Sequence, residues 1–422
     1  MAMTDDHPNS TWLRDATAIA LGLVVPAMVS GRAVLQGLAA AALVGVLIIA
    51  WQDRRIFARV GAAVRSRFGI AVVVAFAAMA VSIPGSLDPL RSFEAWARTL
   101  VYIGGCTLFW AFLTADFRAQ RIATQTLVVG SAFGVAVVTL SMLGWTLPLQ
   151  ILKNEYILKH WKWGFLAPKA YAAALACAIP ILIWLAAQFT GAWRWVTLAT
   201  VVVGAVTVVA TGNKAALAGW LAMTLAVTLA VAMRRGGRRL WAWPVFAALF
   251  TGLILAGVAN LPDVPSSTAV WPWIPTELVD SHRQQIWHFT MGKIAQAPWT
   301  GYGINSIDRV AGAHDIIPGY LVEKLPSHPH NWVLEILGET GVIGFVPVVF
   351  ALAWLACRYL IRFVANGETR HLAQLGLAAT FWGSSLFNFS IWSSWWLISY
   401  FLLTAIAAAS PQTPPPPRPA SG

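Results

Sequence analysis

Apolar runs near the length that crosses a bilayer recur along this chain. About a dozen are legible by eye, at 16–31, 33–51, 68–84, 97–115, 122–145, 167–189, 193–212, 214–233, 240–259, 341–362, 371–389 and 391–409. A helix needs about 17–25 apolar residues to span the hydrocarbon core. Lipid offers no partner for a backbone N–H or C=O, so each run must satisfy its own hydrogen bonds as a helix. Composition agrees: 58% of the 422 residues are hydrophobic and 11% charged, against roughly 25% charged in a soluble domain. The expected fold is all-α, a polytopic transmembrane helical bundle of about 12 spans forming a single integral membrane domain over 1–422.

The formal net charge of +12 raises the question of nucleic acid, and its distribution answers it. With the N-terminus in the cytoplasm, the short inside segments hold Arg54, Arg55, Arg59, Arg65 and Arg67, then Arg118 and Arg121, Arg234 and Arg235, and Arg358, Arg362 and Arg370. Those segments contain no lysine. This is the positive-inside pattern, so the basic charge is topological. Membrane lipids, not nucleic acid, are the expected partners. The N-terminal MAMTDDHPNSTWLRD is acidic where a secretory leader is basic, so the first apolar run is expected to be retained. Cys106, Cys177 and Cys357 all fall inside apolar runs and form neither a disulfide framework nor a metal set. The Pro-rich stretch 410–422 is expected to be a disordered cytoplasmic tail.

The polar residues gather in three segments on the other side, at 85–96, 146–166 and 260–340. The last is far longer than a simple connection, and a loop of that length is functional or disordered. Its Trp and Pro content and low charge argue against disorder; it is expected to pack on the outer face as short helices and turns. Within it, DSHRQQIWHFTMGKIAQAPWTGYG (280–303) predicts a helix stopped by Pro298 and a turn at Gly301 and Gly303. Arg283 lies in its first turn, where a solvated arginine near headgroups is the bland alternative. In SHPHNWVLEILGETGVIG (327–344), Ser327 or His328 can cap a helix with Pro329 at its first position. His330 then shares a face with Val333, Leu334, Leu337 and Gly341, while Glu335 and Glu339 point away. A helix N-terminus disfavours imidazolium and favours the neutral ring that a general base needs. A histidine merely bonded at an interface is the rival reading. Lys214, in TGNKAALAGW, stands at the outer end of two adjacent apolar runs. A lysine there is either functional or snorkelling to headgroups.

Together Lys214, Arg283 and His330, with Lys153, Lys159, Lys162 and Lys169 around the second segment, make a basic outer face with no matching acidic cluster. Such a face suits a phosphate-bearing lipid, with Arg as a bidentate clamp and Lys as a point charge. There is no HExxH, no paired aspartates, no Cys/His metal spacing and no GxxxxGK[ST] loop, so no cofactor is expected.

These residues resemble a known family. HPHNWVLEILGETGVIG is similar to the H-N-x-x-L-x-x-L-x-E-x-G-x-x-G pattern of the O-antigen ligase and polymerase superfamily. TGNKAALAG resembles its T-G-S-R-G-A segment, and RQQIW followed by PWTGYG resembles its R-x-x-hydrophobic-W and P-x-x-G-x-G segments. HWKWGFLAPKAYAAAL is similar to a looser R-x-x-G … P-N segment. The likeness covers roughly 145–345. It implies a metal- and nucleotide-independent glycosyltransferase of the bacterial inner membrane, active at the periplasmic face, with 260–340 as a large periplasmic loop region of short helices that carries the active site. The implied donor is a glycan on undecaprenyl pyrophosphate, and the implied acceptor, in the ligases that it most resembles, is lipid A–core. By position, His330 corresponds to the essential histidine and Arg283 to the loop arginine. Lys214 stands where the family has arginine, and Lys162 or Lys159 near its second-loop arginine; with His328 these form the implied substrate-binding set. Lysine keeps the charge but loses the planar fork. The implied chemistry is displacement at the anomeric carbon with inversion, His330 taking the acceptor proton. Polymerases and protein glycosyltransferases share that chemistry, and Lys153 and Gly164 have the spacing of a polymerase R-x10-G pattern. A lipid-linked glycan transporter is the rival of another class, disfavoured by spans nearly free of mid-span charge.

Overall fold

A computed structural model describes residues 8–153, 168–236, 281–317 and 322–409. All regular structure there is helical, apart from one isolated bridge between Ile316 and Glu323. In chain order the helices are α1 (Pro8–Leu23), α2 (Arg32–Gln52), α3 (Arg55–Val64), α4 (Arg67–Ala80), α5 (Pro89–Ala115), α6 (Phe117–Met142), α7 (Leu147–Leu152), α8 (Lys169–Gln188), α9 (Gly191–Ala210), α10 (Lys214–Gly236), α11 (Ser281–Gln296), α12 (Trp332–Asn366), α13 (Thr369–Ser384) and α14 (Ser394–Ala409). Polar residues mark the starts as capping predicts. The Ser66 hydroxyl accepts from Gly69 N, Asp88 from Arg91 N, and Asp116 from Ala119 N.

Seven of these helices are long and apolar enough to cross a membrane: α2, α5, α6, α8, α9, α10 and α12. An eighth is reached if α3 and α4, bent by 69°, count as one. The expectation of about twelve is not matched by this measure. The apolar run at 16–31 holds the second half of α1, and those at 371–389 and 391–409 hold α13 and α14, but each of these helices is 16 residues long, about 24 Å of helix against a hydrocarbon core of about 30 Å. The rest of each run lies in turns, with a short 3-10 helix at Pro26–Val29. The run at 240–259, the start of the 260–340 segment and the 410–422 tail lie outside the described residues.

Helix α8 lies at the centre of the bundle, with 83% of its apolar window buried. It is apolar on all sides because it meets neighbours on all sides. Small residues let α10 and α13 approach closely: Gly219 lies against the Thr380 carbonyl and Ser384, and Gly383 against Ala222. Close backbone packing of this kind drives association where no hydrophobic gradient exists between helices.

The two ends of the bundle carry different polar work. At one end the start of α1 is tied to the ends of α2 and α5. Arg14 pairs with Asp116 at 3.2 Å and with Asp53 at 3.8 Å, and Arg118 pairs with Asp15. At the other end, about 40 Å away by the 27-residue length of α5, α5 projects out of its apolar run. The expected loop at 85–96 is therefore largely helix, because Asp88 caps it and Pro89 starts it. This projection grips the 301–309 segment. Arg91 pairs with Asp308 at 3.0 Å and Arg309 with Asp88 at 3.1 Å, while Ser92 Oγ donates to the Ile304 carbonyl at 2.7 Å.

Candidate active site

The motif-rich residues gather at this second end. The predicted helix over 280–296 is α11, with Ile286 and Thr290 fully buried. Behind it, Pro298–Gly303 docks on α12 where α12 breaks. Gly341 sits at φ 60°, ψ −170°. The break frees backbone groups that the turn then takes: Tyr302 N donates to the Gly338 carbonyl at 3.0 Å, and Gly303 N to Glu339 at 2.8 Å. In return Val342 N donates to Pro298 at 2.9 Å and Ile343 N to Trp299 at 3.2 Å. A Cβ on Gly301 or Gly341 would enter the facing backbone. The two glycine-bearing motifs are thus two halves of one joint.

Upstream of the joint, α12 starts one turn later than expected. Neither Ser327 nor His328 is its cap. Asn331 is, its Oδ1 accepting from Val333 N at 3.0 Å and Leu334 N at 3.4 Å. Pro329 is outside the helix, and its carbonyl accepts from Trp287 Nε1 of α11 at 2.9 Å. His330 is not in the first turn. It precedes the helix in the left-handed region, φ 53°, which turns its ring onto the connection between α13 and α14. There Nδ1 lies 3.1 Å from the Asn388 carbonyl. A carbonyl only accepts, so Nδ1 carries a proton, and when the ring is neutral Nε2 is the basic nitrogen.

His328 packs against this ring, centroids 4.1 Å apart. Its Nδ1 meets Ser327 Oγ at 2.8 Å, and its Nε2 is buried without a hydrogen-bond partner. Burial pushes His328 down to about 3; the charges of His330 and Arg283 act the same way, and the Asn388 backbone acts against them. Arg283 thus stands beside the histidine pair, one turn before the Trp287 that holds Pro329. In the unfolded chain His328 takes its proton near 6.5. As pH falls from there toward 3, the unfolded state binds a proton that the folded state refuses, so His328 costs stability in that window and contributes nothing above it. The loss of melting temperature between pH 7 and 5 is expected to be smaller in His328→Asn than in the wild type. Equal slopes in the two proteins would show that the neutral, buried ring is wrong.

Lys214 is exposed at the first residue of α10. Asn213 positions it, accepting from Ala216 N at 3.2 Å and donating to the Lys169 carbonyl at 2.8 Å. Five residues on, about 7.5 Å along the axis, Gly219 packs on Ser384. Ser384 Oγ accepts from Asn388 Nδ2 at 3.2 Å, and Asn388 holds His330. Lys214, Arg283, His328 and His330 therefore belong to one end of the bundle. Lys159 and Lys162 lie outside the described residues.

The sequence reading missed the connection 385–393. It is held residue by residue. Asn388 takes His330, and the Phe389 ring carries the Arg32 guanidinium at 5.6 Å. Glu335 accepts from Ser390 Oγ and from Ile391 N at 2.9 Å. Glu339 accepts from Trp392 Nε1 and from Asn305 N at 2.7 Å. The expected shared face no longer applies, because His330 lies outside the helix; Glu335 and Glu339 are both 1% exposed and organise what His330 rests on. Two acids four apart in an otherwise apolar helix were the available signal, since buried carboxylates demand partners.

Part of this chain is similar in sequence to known proteins. Residues 199–349 match the O-antigen ligase family model. The matched stretch runs from the second half of α9 through α10 and α11 into α12 beyond Gly341, and contains Lys214, Arg283, His328 and His330. Candidate polysaccharide ligases of three Rickettsia species align over 157 residues: that of Rickettsia conorii at 29% identity, that of Rickettsia felis at 30% and that of Rickettsia prowazekii at 28%. In each case the shared stretch is 36% of this chain and 37% of the relative, little more than a third of either.

Proposed function

We propose that this protein is a glycosyltransferase that moves a polysaccharide from undecaprenyl pyrophosphate to lipid A–core at the periplasmic face of the bacterial inner membrane. The observation that carries the reading is the orientation of His330. Its Nδ1 is committed to the Asn388 carbonyl, which leaves Nε2 to take a proton. The acceptor hydroxyl gives that proton to Nε2 as its oxygen bonds to the anomeric carbon, and the bond from that carbon to pyrophosphate breaks on the opposite face, inverting the centre. Arg283, with Lys214 and the second-segment lysines Lys159 and Lys162, balances the charge gathering on the departing pyrophosphate. The family match and the relatives' names support polysaccharide transfer. The lipid-linked donor and the lipid A–core acceptor rest on the motif resemblance and on the basic face.

The test is transfer in vitro with purified protein, an undecaprenyl-pyrophosphate glycan and lipid A–core, in EDTA and without nucleotide, read by gel shift. The wild type is expected to shift the acceptor, and Arg283→Ala to lower the rate about 100-fold or more, the loss typical of one charge-stabilising group. Lengthening of the donor's own glycan instead would identify a polymerase. No product with either would overturn the transferase reading.

A further inference from the structure

The buried glutamate Glu335 has more contacts than packing needs. An apolar residue would fill its place without the cost of burying a carboxyl group. Its two oxygens instead take two consecutive residues of the α13–α14 connection: the Ser390 hydroxyl and the Ile391 N–H. Ser390 Oγ also accepts from Trp392 N at 3.1 Å, which closes the turn. Two residues upstream is Asn388, whose carbonyl accepts from His330 Nδ1. The helix that begins just after His330 thus reaches round, through Glu335, to hold the backbone that orients His330.

We propose that Glu335 is a positioning residue for the His330 base, fixing the backbone whose carbonyl keeps the proton on Nδ1 and the lone pair on Nε2. The proposal deepens the transferase reading and rests on it for its kinetic half only. A second carboxylate supports the arrangement. One helical turn on, Glu339 holds the next residue of the connection, Trp392, and ties it to Asn305. Partners of this kind, one step removed from the reacting group, set the tautomer and direction of a histidine.

The experiment uses full-length protein labelled with 15N in the histidine rings. The His330 signals are assigned by difference from His330→Asn. The wild type is expected to show the Nδ1–H tautomer. In Glu335→Ala the ring is expected to become a mixture of tautomers, with kcat for glycan transfer down about tenfold, or about 1.4 kcal/mol, and the donor KM within about twofold, since no substrate contact is removed. Glu335→Gln keeps a side-chain oxygen to accept and an N–H that Ser390 can accept, so it should restore most of both readouts. Should Glu335→Ala fail to fold, Ser390→Ala removes one of the two hydrogen bonds with little change of volume and is expected to shift both readouts in the same direction. A folded Glu335→Ala or Ser390→Ala that keeps the wild-type tautomer overturns the proposal, as does a raised KM with unchanged kcat. If the wild type transfers no glycan, the transferase reading falls, while the ring spectrum still decides whether Glu335 sets the tautomer.

Discussion

His330→Asn is expected to reduce glycan transfer by about 100- to 10,000-fold, the range supplied by one positioned general base, while the protein folds normally. Asparagine is the informative substitution. His330 occupies φ 53°, a conformation that asparagine accepts far better than alanine or a β-branched residue. Its amide can also donate to the Asn388 carbonyl in place of Nδ1. What it lacks is a nitrogen able to take a proton. His330→Ala loses the hydrogen bond and adds backbone strain as well, so its effect mixes chemistry with folding. The measurement is the transfer rate of both variants beside their melting temperatures in detergent. An Asn variant that keeps the wild-type rate would remove His330 from the proton transfer.

Gly341→Ala is expected to be strongly destabilising. Its φ of 60° with ψ −170° is a region essentially reserved for glycine, worth on the order of 1–3 kcal/mol of strain to any other residue. The added Cβ would stand 2.2 Å from the Trp299 carbonyl carbon, far inside contact distance and against backbone that has no rotamer to yield. To accommodate it, the turn must leave the joint and give up the bonds from Val342 N to Pro298 and Ile343 N to Trp299. Buried backbone groups left unpaired cost about 1–3 kcal/mol each. A total loss of more than about 3 kcal/mol is expected, together with activity, because the same turn carries Asn305 to Glu339. Gly37→Ala is the control: Gly37 is exposed within α2 and an added Cβ would meet nothing within 4 Å. Thermal melts of the two variants should separate cleanly, and a Gly341→Ala protein as stable as Gly37→Ala would show that α12 does not break there.

Local rules carried the sequence reading far where each residue's neighbours in the chain decide its state. The long helices of the described residues fall largely on the apolar runs because backbone in lipid has no alternative partner. The helix over 280–296 and its stop at Pro298 follow from side-chain spacing and the missing N–H of proline. The candidate site residues Lys214, Arg283 and His330 were visible as polar groups in a chain with few of them.

Other features escaped for a stated reason. The start of α12 was misplaced because Ser327 and His328 stand before Pro329 as a cap should, whereas Asn331 caps the helix and long-range bonds, from Trp287 to the Pro329 carbonyl and from His330 to Asn388, hold Pro329 and His330 outside it. Two joining motifs read separately as turn and helix are one joint, because a break in α12 releases N–H and C=O groups that only the distant turn satisfies. Glu335 and Glu339 were set aside by a helical wheel that shows which way a side chain points and not what waits there. The sequence by itself determined that this chain is a bundle of apolar helices with a basic, histidine-bearing end, since hydropathy and backbone hydrogen bonding act locally. Only the tertiary structure decided which nitrogen of His330 meets a hydrogen-bond acceptor, because that depends on a carbonyl 58 residues further along the chain.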